Sequence, residues 1–351
     1  MLKKLLLSCF IATMAVTVNA QDFHFSQFYN SPLTLNPALT GRIREDFRVG
    51  IIHRSQWKAI NSAFVTSAVF ADINFIKNPL GLDMWGVGLV AMNDEIGDGM
   101  FSNQNIGVSL SGTKTLDELK RHKVSIGVQP SYVTKGLIKN NLIFDNQINS
   151  SYQSDNSISS GEQLSANKYS YLNINAGLFW DFVLNRKIDI FAGYAANNIN
   201  QPKEHPLTNS TSKLPVRHIL NPGFIYTFNK KWSISPNFLL AYQGKATELN
   251  LGLFGGYTFN PDAKLPTTAF LGGWGRAKDA AIAMVGIKWG HYQGAFSYDF
   301  TASSLRDVKN AEPPMISRER ANVGAWEISL IYVGFLRRAL PGETTIPCKF
   351  F

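Results

Sequence analysis

The sequence predicts an all-β fold: a transmembrane barrel of about 14 antiparallel strands, preceded by a short irregular segment that plugs its lumen. Three observations carry this prediction. From Phe47 onward polarity alternates with a period of two. The longest connections fall on one side of the sheet, and aromatic residues gather at two levels along the strands.

The first 20 residues read as a signal peptide rather than fold. Lys3 and Lys4 form a charged start, residues 5–18 an apolar run, and Val18-Asn19-Ala20 a small-residue cleavage site. The run is too short for a transmembrane helix. Too little apolar sequence precedes Cys9 for Leu6-Leu7-Ser8-Cys9 to act as a lipidation box. A chain cut after Ala20 keeps only Cys348, so no internal disulfide forms and stability rests on a large core or on a bilayer.

Residues 21–45 form the irregular preamble, centred on Ser26–Gly41, SQFYNSPLTLNPALTG. Pro32, Pro37 and Gly41 rule out both a strand and a long helix. Strands are expected over residues 47–57, 63–75, 84–93, 104–115, 122–134, 169–181 and 187–198. Seven more follow at 217–228, 232–243, 247–258, 267–276, 280–289, 291–300 and 323–335. Most are close to the roughly 9–11 residues that cross a bilayer at a tilt. The barrel domain is thus 46–336, and 337–351 is a periplasmic tail.

The alternation is clearest near the end. Tyr292, Phe296, Tyr298 and Phe300 oppose His291, Gln293, Ser297 and Asp299, and Trp326, Ile328, Leu330 and Tyr332 oppose Glu327, Ser329 and Ile331. In the first strand Phe47, Val49, Ile51 and Trp57 oppose Arg48, Arg54 and Gln56. Arg or Lys facing lipid at mid-bilayer costs roughly 2–4 kcal/mol, so Arg48, Arg54, Asp299 and Glu327 are expected inside the lumen.

Connections 94–103, 135–170, 199–216 and 301–322 follow odd-numbered strands, while those after even strands are expected to be short turns. Long loops on one rim and tight turns on the other mark an outer-membrane barrel. Trp180, Phe228, Trp232, Tyr257, Trp289 and Tyr292 would form a girdle at the short-turn rim, and Trp57, Trp274, Phe300 and Trp326 one at the opposite rim.

The sequence offers no catalytic, metal or cofactor site. Six histidines are scattered without ligand spacing. The glycine clusters Gly252, Gly255, Gly256 and Gly272, Gly273, Gly275 lie in strands and suit curvature rather than phosphate binding. Ser297 and His291 share a face but lie about 20 Å apart along it, and no G-x-S-x-G is present, which argues against a hydrolase. The net charge of +9 is dispersed, so nucleic acid is not expected as a partner, whereas outer-membrane lipid is.

The residues also carry a resemblance. Ser26-Gln27-Phe28, Pro32, Leu35-Asn36-Pro37-Ala38 and Gly41 are similar to the opening signature of the PorP/SprF family of Bacteroidetes type IX secretion system membrane proteins. Ser125-Ile126-Gly127-Val128-Gln129, Gly193, Asn197-Asn198 and Asn200-Gln201-Pro202 resemble its middle blocks. Arg217-His218, Ser297-Tyr298-Asp299, Glu327-Ile328-Ser329-Leu330 and Ile346-Pro347-Cys348-Lys349-Phe350 resemble later ones. Trp326 departs from a position where the family commonly has His.

The resemblance implies a non-enzymatic outer-membrane protein of type IX secretion or gliding motility. Its partners would be other secretion components and a secreted adhesin or other cargo, whose export or surface attachment it supports. Asn36-Pro37-Ala38 is also similar to an element in the N-terminal hatch of fatty-acid transporter barrels, which keeps open a transporter for a hydrophobic small molecule. In either case Gln27, Pro32, Asn36, Pro37 and Gly41 are expected to form the plug, with Gln27 and Asn36 bonded to inward polar side chains.

Overall fold

The computed structural model describes residues 24–57, 64–75, 82–97, 101–137, 147–148, 158, 168–204, 212–302 and 324–336. The expected signal peptide, the tail at 337–351 with Cys348, and most of the longest connections lie outside these residues.

Fourteen strands form one closed antiparallel barrel in which each strand pairs with its neighbours in sequence. They are β1 (Phe47–Gln56), β2 (Phe64–Phe75), β3 (Met84–Ile96), β4 (Phe101–Thr115), β5 (His122–Leu137), β6 (Lys168–Val183) and β7 (Ile188–Asn197). Then come β8 (Arg217–Thr227), β9 (Trp232–Gln243), β10 (Ala246–Thr258), β11 (Thr268–Arg276), β12 (Ala280–Trp289), β13 (Tyr292–Thr301) and β14 (Gly324–Gly334). The closing seam is complete: β1 pairs with β14 from Phe47↔Gly334 to Gln56↔Ala325. Backbone groups facing lipid have no water to bond, so a seam without a gap is what a bilayer demands.

Alternation sorts the side chains as a membrane barrel requires. Ile51, Leu89, Ile106, Leu271 and Leu330 point outward and are exposed, whereas Arg48, Arg54, Asp72, Asp299 and Glu327 point inward and are buried. Phe228, Trp232, Trp289 and Tyr292 stand exposed near the rim where β1 begins and β14 ends, called here the terminal rim. Phe300 and Trp326 stand exposed toward the opposite rim.

Two expectations need correction. Connection 94–103 is not a long loop, because β3 and β4 run on and pair through Asp94↔Asn103 to Ile96↔Phe101. The sequence hides this because both faces of the hairpin become polar there, which erases the alternation. Length parity also holds only for the longest connections: the link 259–267 on the terminal rim exceeds 244–245 and 277–279 on the other.

Trp274 is the second correction, since it belongs to no girdle. It is buried inside the barrel, only 4% exposed. Leu271, 69% exposed, sets the outward phase of β11, and Trp274 three residues later therefore faces in. Glycines on both faces of β11 blur that phase in the sequence. They also explain the indole's seat: a Cβ at Gly252 would lie 2.5 Å, and one at Gly272 2.5 Å, from atoms of its ring. These glycines clear floor for a large side chain.

Candidate functional site

The N-terminal segment and the inward faces that surround it form the candidate site. Pro32 and Pro37 each open a short helical turn, α1 (Pro32–Leu35) and a 3-10 turn at Pro37–Leu39, because a fixed φ and a missing N–H suit a first helical position. A further 3-10 turn covers Phe28–Asn30. The turns keep the segment compact and satisfy much of its own backbone, as a buried non-strand segment must.

Register fixes its direction. The partners of Ser26 are Arg54, Arg276, Asp299 and Glu327, which lie near the ends of β1, β11 and β13 and the start of β14, all toward the rim opposite the termini. The partners of Gly41 and Arg42 are Asp72, Ser125 and Asp181, all near the terminal rim. The segment therefore descends along the barrel before the chain turns back up into β1.

At the Ser26 end the geometry is ionic. Ser26 Oγ donates to Asp299 Oδ2 at 2.7 Å and accepts from Arg54 Nη1 at 2.7 Å and Arg276 Nη2 at 2.6 Å, which uses all its hydrogen-bonding capacity. The backbone N–H groups of Ser26 and Gln27 donate to the two oxygens of Glu327 at 2.6 and 2.9 Å. Arg54 pairs with Glu327 and with Asp299, the latter at 3.0 Å. Arg276 joins Asp299 at 3.1 Å, Asp279 at 2.9 Å and Glu248 at 3.7 Å. Charges this buried persist only where they are paired, and Arg54, Arg276, Asp299 and Glu327 each have an opposite charge in contact.

Gln27 fills its amide. Nε2 donates to Ser297 Oγ at 3.0 Å and to the Glu327 carbonyl at 3.2 Å, while Oε1 accepts from Ser329 Oγ at 2.7 Å and Asn30 Nδ2 at 2.9 Å. Ser297 is thus fully buried and engaged by Gln27, and His291 packs near Tyr332 and Phe335 at the terminal rim. Among the described residues no group of His, Cys, Asp or Glu converges for a metal ion.

Toward Gly41 the fit is steric. Asn36 Oδ1 caps the following turn by accepting from Ala38 N–H at 2.9 Å. Its Nδ2 donates to the backbone carbonyls of Leu178 and Tyr194 at 3.0 and 3.3 Å, so its wall partners are backbone rather than side chains. That approach needs bare wall: a Cβ at Gly177 would lie 1.9 Å from Asn36 Oδ1, one at Gly127 2.3 Å from the Pro37 carbonyl carbon, and one at Gly86 2.2 Å from the Thr40 oxygen. Gly41 itself has φ +68°, where glycine is favoured, and its N–H donates to Asp72 Oδ2 at 2.7 Å. Arg48 holds the same carboxylate with two bonds of 2.9 and 2.7 Å. Arg42 reaches Ser125 and pairs with Asp181.

Between the ends lies an apolar core shared by segment and wall. Phe28, Tyr29, Leu35, Ala38 and Leu39 pack with Phe179, Phe270, Trp274 and Met284 among others. Tyr29 stacks on Trp274 with ring centres 5.6 Å apart, and its hydroxyl reaches the Met284 sulfur. Of the lumen residues singled out in the sequence, Arg54, Asp299 and Glu327 meet in one cluster and Arg48 sits apart with Asp72. Arg276, Glu248, Arg42 and Trp274 escaped sequence reading. The signal for Glu248, Arg276 and Trp274 is only their inward phase in β10 and β11, with Gly252 and Gly272 beside Trp274, while Arg42 lies in the irregular segment, which has no phase to read.

Comparison with known proteins places the barrel. The chain is similar in fold to the Ralstonia pickettii toluene transporter TbuX, with TM-score 0.51 and 12% identity over 87% of this chain and 94% of that one. A Pseudomonas aeruginosa FadL homologue matches with TM-score 0.47 and 9% identity over 85% of this chain and 92% of that chain. At such identities the likeness concerns the barrel alone. No curated protein sequence matches significantly. A family model described as "Type IX secretion system membrane protein PorP/SprF" matches residues 17–332. The blocks that carry the resemblance meet inside the barrel: Ser26, Gln27 and Asn36 touch Glu327, Asp299, Ser297 and the strand before Gly193, and Gln129 donates to the Leu33 carbonyl at 3.0 Å. The chain is an outer-membrane β-barrel and belongs to the PorP/SprF family of type IX secretion system membrane proteins.

Proposed function

We propose that the protein is a non-enzymatic barrel whose N-terminal segment plugs the lumen, and that it supports secretion or cell-surface attachment of a partner adhesin or other type IX cargo through its long-loop rim. The observation that supports this reading is the set of buried bonds from Ser26, Gln27 and Gly41 to the wall, in a chain of the PorP/SprF family. A lumen filled by its own chain gives a rigid platform, and docking then falls to rim and loops. Deleting the gene and assaying surface display of type IX cargo tests it: display should fall, and unchanged display would refute the reading.

A transporter for a hydrophobic small molecule is the competing reading, favoured by the barrel shared with TbuX. The inward charges Arg54, Arg276, Asp299 and Glu327 oppose it, because an apolar solute entering there gains no partner and displaces ionic ones. Flux measurements in vesicles separate the two, with no hydrophobic flux expected.

A further inference from the structure

A closed barrel has no edge strand, so a proline in its wall removes a ladder donor wherever its N–H would have faced a neighbour. The strand pairs run without a break except at β4–β5 and β8–β9. Both breaks sit at proline. In β4–β5 the register passes from Gly107↔Ser131 to Leu110↔Val128, which leaves Pro130 opposite Val108 without a pair. In β8–β9 it passes from Leu220↔Leu240 to Gly223↔Asn237 and then to Tyr226↔Ile234. Pro222 is left opposite Phe238, and Pro236 opposite Phe224. On their other sides both prolines stay in continuous ladders, at Pro222↔Ala192 and Leu253↔Pro236, so both missing donors fall on the shared seam. Ser235 Oγ donates to the Phe224 carbonyl at 3.0 Å and offsets one of the two losses.

The N-terminal segment meets the two breaks differently. At β4–β5 it bridges the gap: the Thr40 and Ser109 hydroxyls are hydrogen-bonded at 2.6 Å, and Gln129 Nε2 donates to the Leu33 carbonyl at 3.0 Å. Ser109 and Gln129 are themselves the facing residues that the ladder leaves out. At β8–β9 the segment offers apolar surface. Phe28 and Leu35 share a core cluster with Ile219 and Leu239, and a cavity of about 30 Å3 lies among these four and Phe25. The charged residues that anchor Ser26, Gly41 and Arg42 stand on other strands: Asp72 on β2, Asp181 on β6, Asp299 on β13 and Glu327 on β14.

We propose that the middle of β8–β9 is a lateral window, a stretch of wall that parts toward the bilayer while the segment stays seated. Pairing from Arg217↔Gln243 to Leu220↔Leu240, and again at Tyr226↔Ile234 and Thr227↔Ser233, keeps the seam closed at both rims. The window therefore covers residues 221–225 and 235–239, roughly 17 Å of strand. Leu220 and Phe224 are exposed on its outer face, so the opening meets lipid rather than water. Two missing donors lower the cost of parting, and the cavity behind gives inner side chains somewhere to move. The carboxylates that anchor the segment lie on strands that need not shift. The window goes beyond the cargo role proposed above and does not depend on it.

The test uses the full chain in lipid nanodiscs, with Cys348→Ser as background and a lipophilic maleimide confined to the bilayer as probe. Leu239→Cys puts a thiol on the buried inner face of the window, opposite Asn221. Ala295→Cys puts one on the buried inner face of β13, where both ladders are continuous. The thiol at position 239 should react about tenfold faster or more, the scale of two missing backbone bonds. Adding Pro222→Ala and Pro236→Ala restores both donors and should bring that rate down to the one at position 295. Ser31→Cys, fully buried in the segment, should stay unreactive throughout. If Leu239→Cys does not fold, Ala241→Cys at the edge of the window takes its place. Equal rates at the two sites, a rate indifferent to the restored donors, or labelling of Ser31→Cys alongside the window would each overturn the proposal.

Discussion

The two ends of the N-terminal segment are held by different forces. Near Ser26 the contacts are charge on charge, drawn from four strands far apart in sequence. Near Asn36–Gly41 the segment is seated on the bare backbone of Gly86, Gly127 and Gly177, with the Asp72 carboxylate receiving the Gly41 N–H beside it. Charge tolerates small displacements and depends on every partner being present. Shape tolerates no added atom but survives the loss of a single bond. The difference teaches that the segment is located by sterics at one end and energetically committed at the other.

Adding bulk at the steric end should have the largest effect. Gly177→Leu puts side-chain atoms where Asn36 sits and should unseat the segment entirely. In a Cys348→Ser background, Ser31→Cys, otherwise fully buried, should then become reactive to thiol reagents; continued protection would show that the wall can yield. Next, Glu327→Ala removes a carboxylate partner from Arg54 and from two backbone N–H groups and should cost about 3–5 kcal/mol, read from denaturant unfolding in lipid. The double variant with Arg54→Ala should cost less than the sum of the two singles, since both remove one network. Additive losses would mean the pair acts independently. Asn36→Ala should cost only about 1–3 kcal/mol, because the wall carbonyls it bonds also serve the strand ladder.

The smallest effect lies outside the lumen, at the turn between β4 and β5. The backbone N–H of His122 donates to Asp117 at 2.7 Å and holds its carboxyl below the usual range. Because the folded value is the lower one, this bond's contribution is present above about pH 3.9, the ordinary Asp value, and fades as pH falls through the depressed value. Amide exchange at His122 should quicken there while the lumen remains protected. If lumen amides open at the same pH, the two regions are coupled.

The strands were legible because lipid on one face and a polar interior on the other impose strict alternation, so β9 and β12 fall where the sequence puts them. Legibility failed where that contrast ends. Beyond the membrane edge, Asp94 and Asn103 are polar on both faces and the hairpin disappears from view. Gln27 and Glu327 could be named separately because one is polar in an apolar preamble and the other charged in a strand. Their meeting, across 300 residues, could not. The same holds for Trp274, whose lumen seat depends on Gly252 of the neighbouring strand and on Tyr29 of the segment. Local pattern shows which face a residue takes, and only closure shows whom it meets.

The position of Glu327 at the β1–β14 seam has one more consequence. It lies opposite Arg54 in the pairing that closes the ring and also receives the first amides of the segment. Without the segment, Glu327 would keep Arg54 but lose both backbone N–H donors of Ser26 and Gln27. One carboxylate thus ties the seam of the wall to the segment inside it, so the loss of Glu327 is felt by both at once.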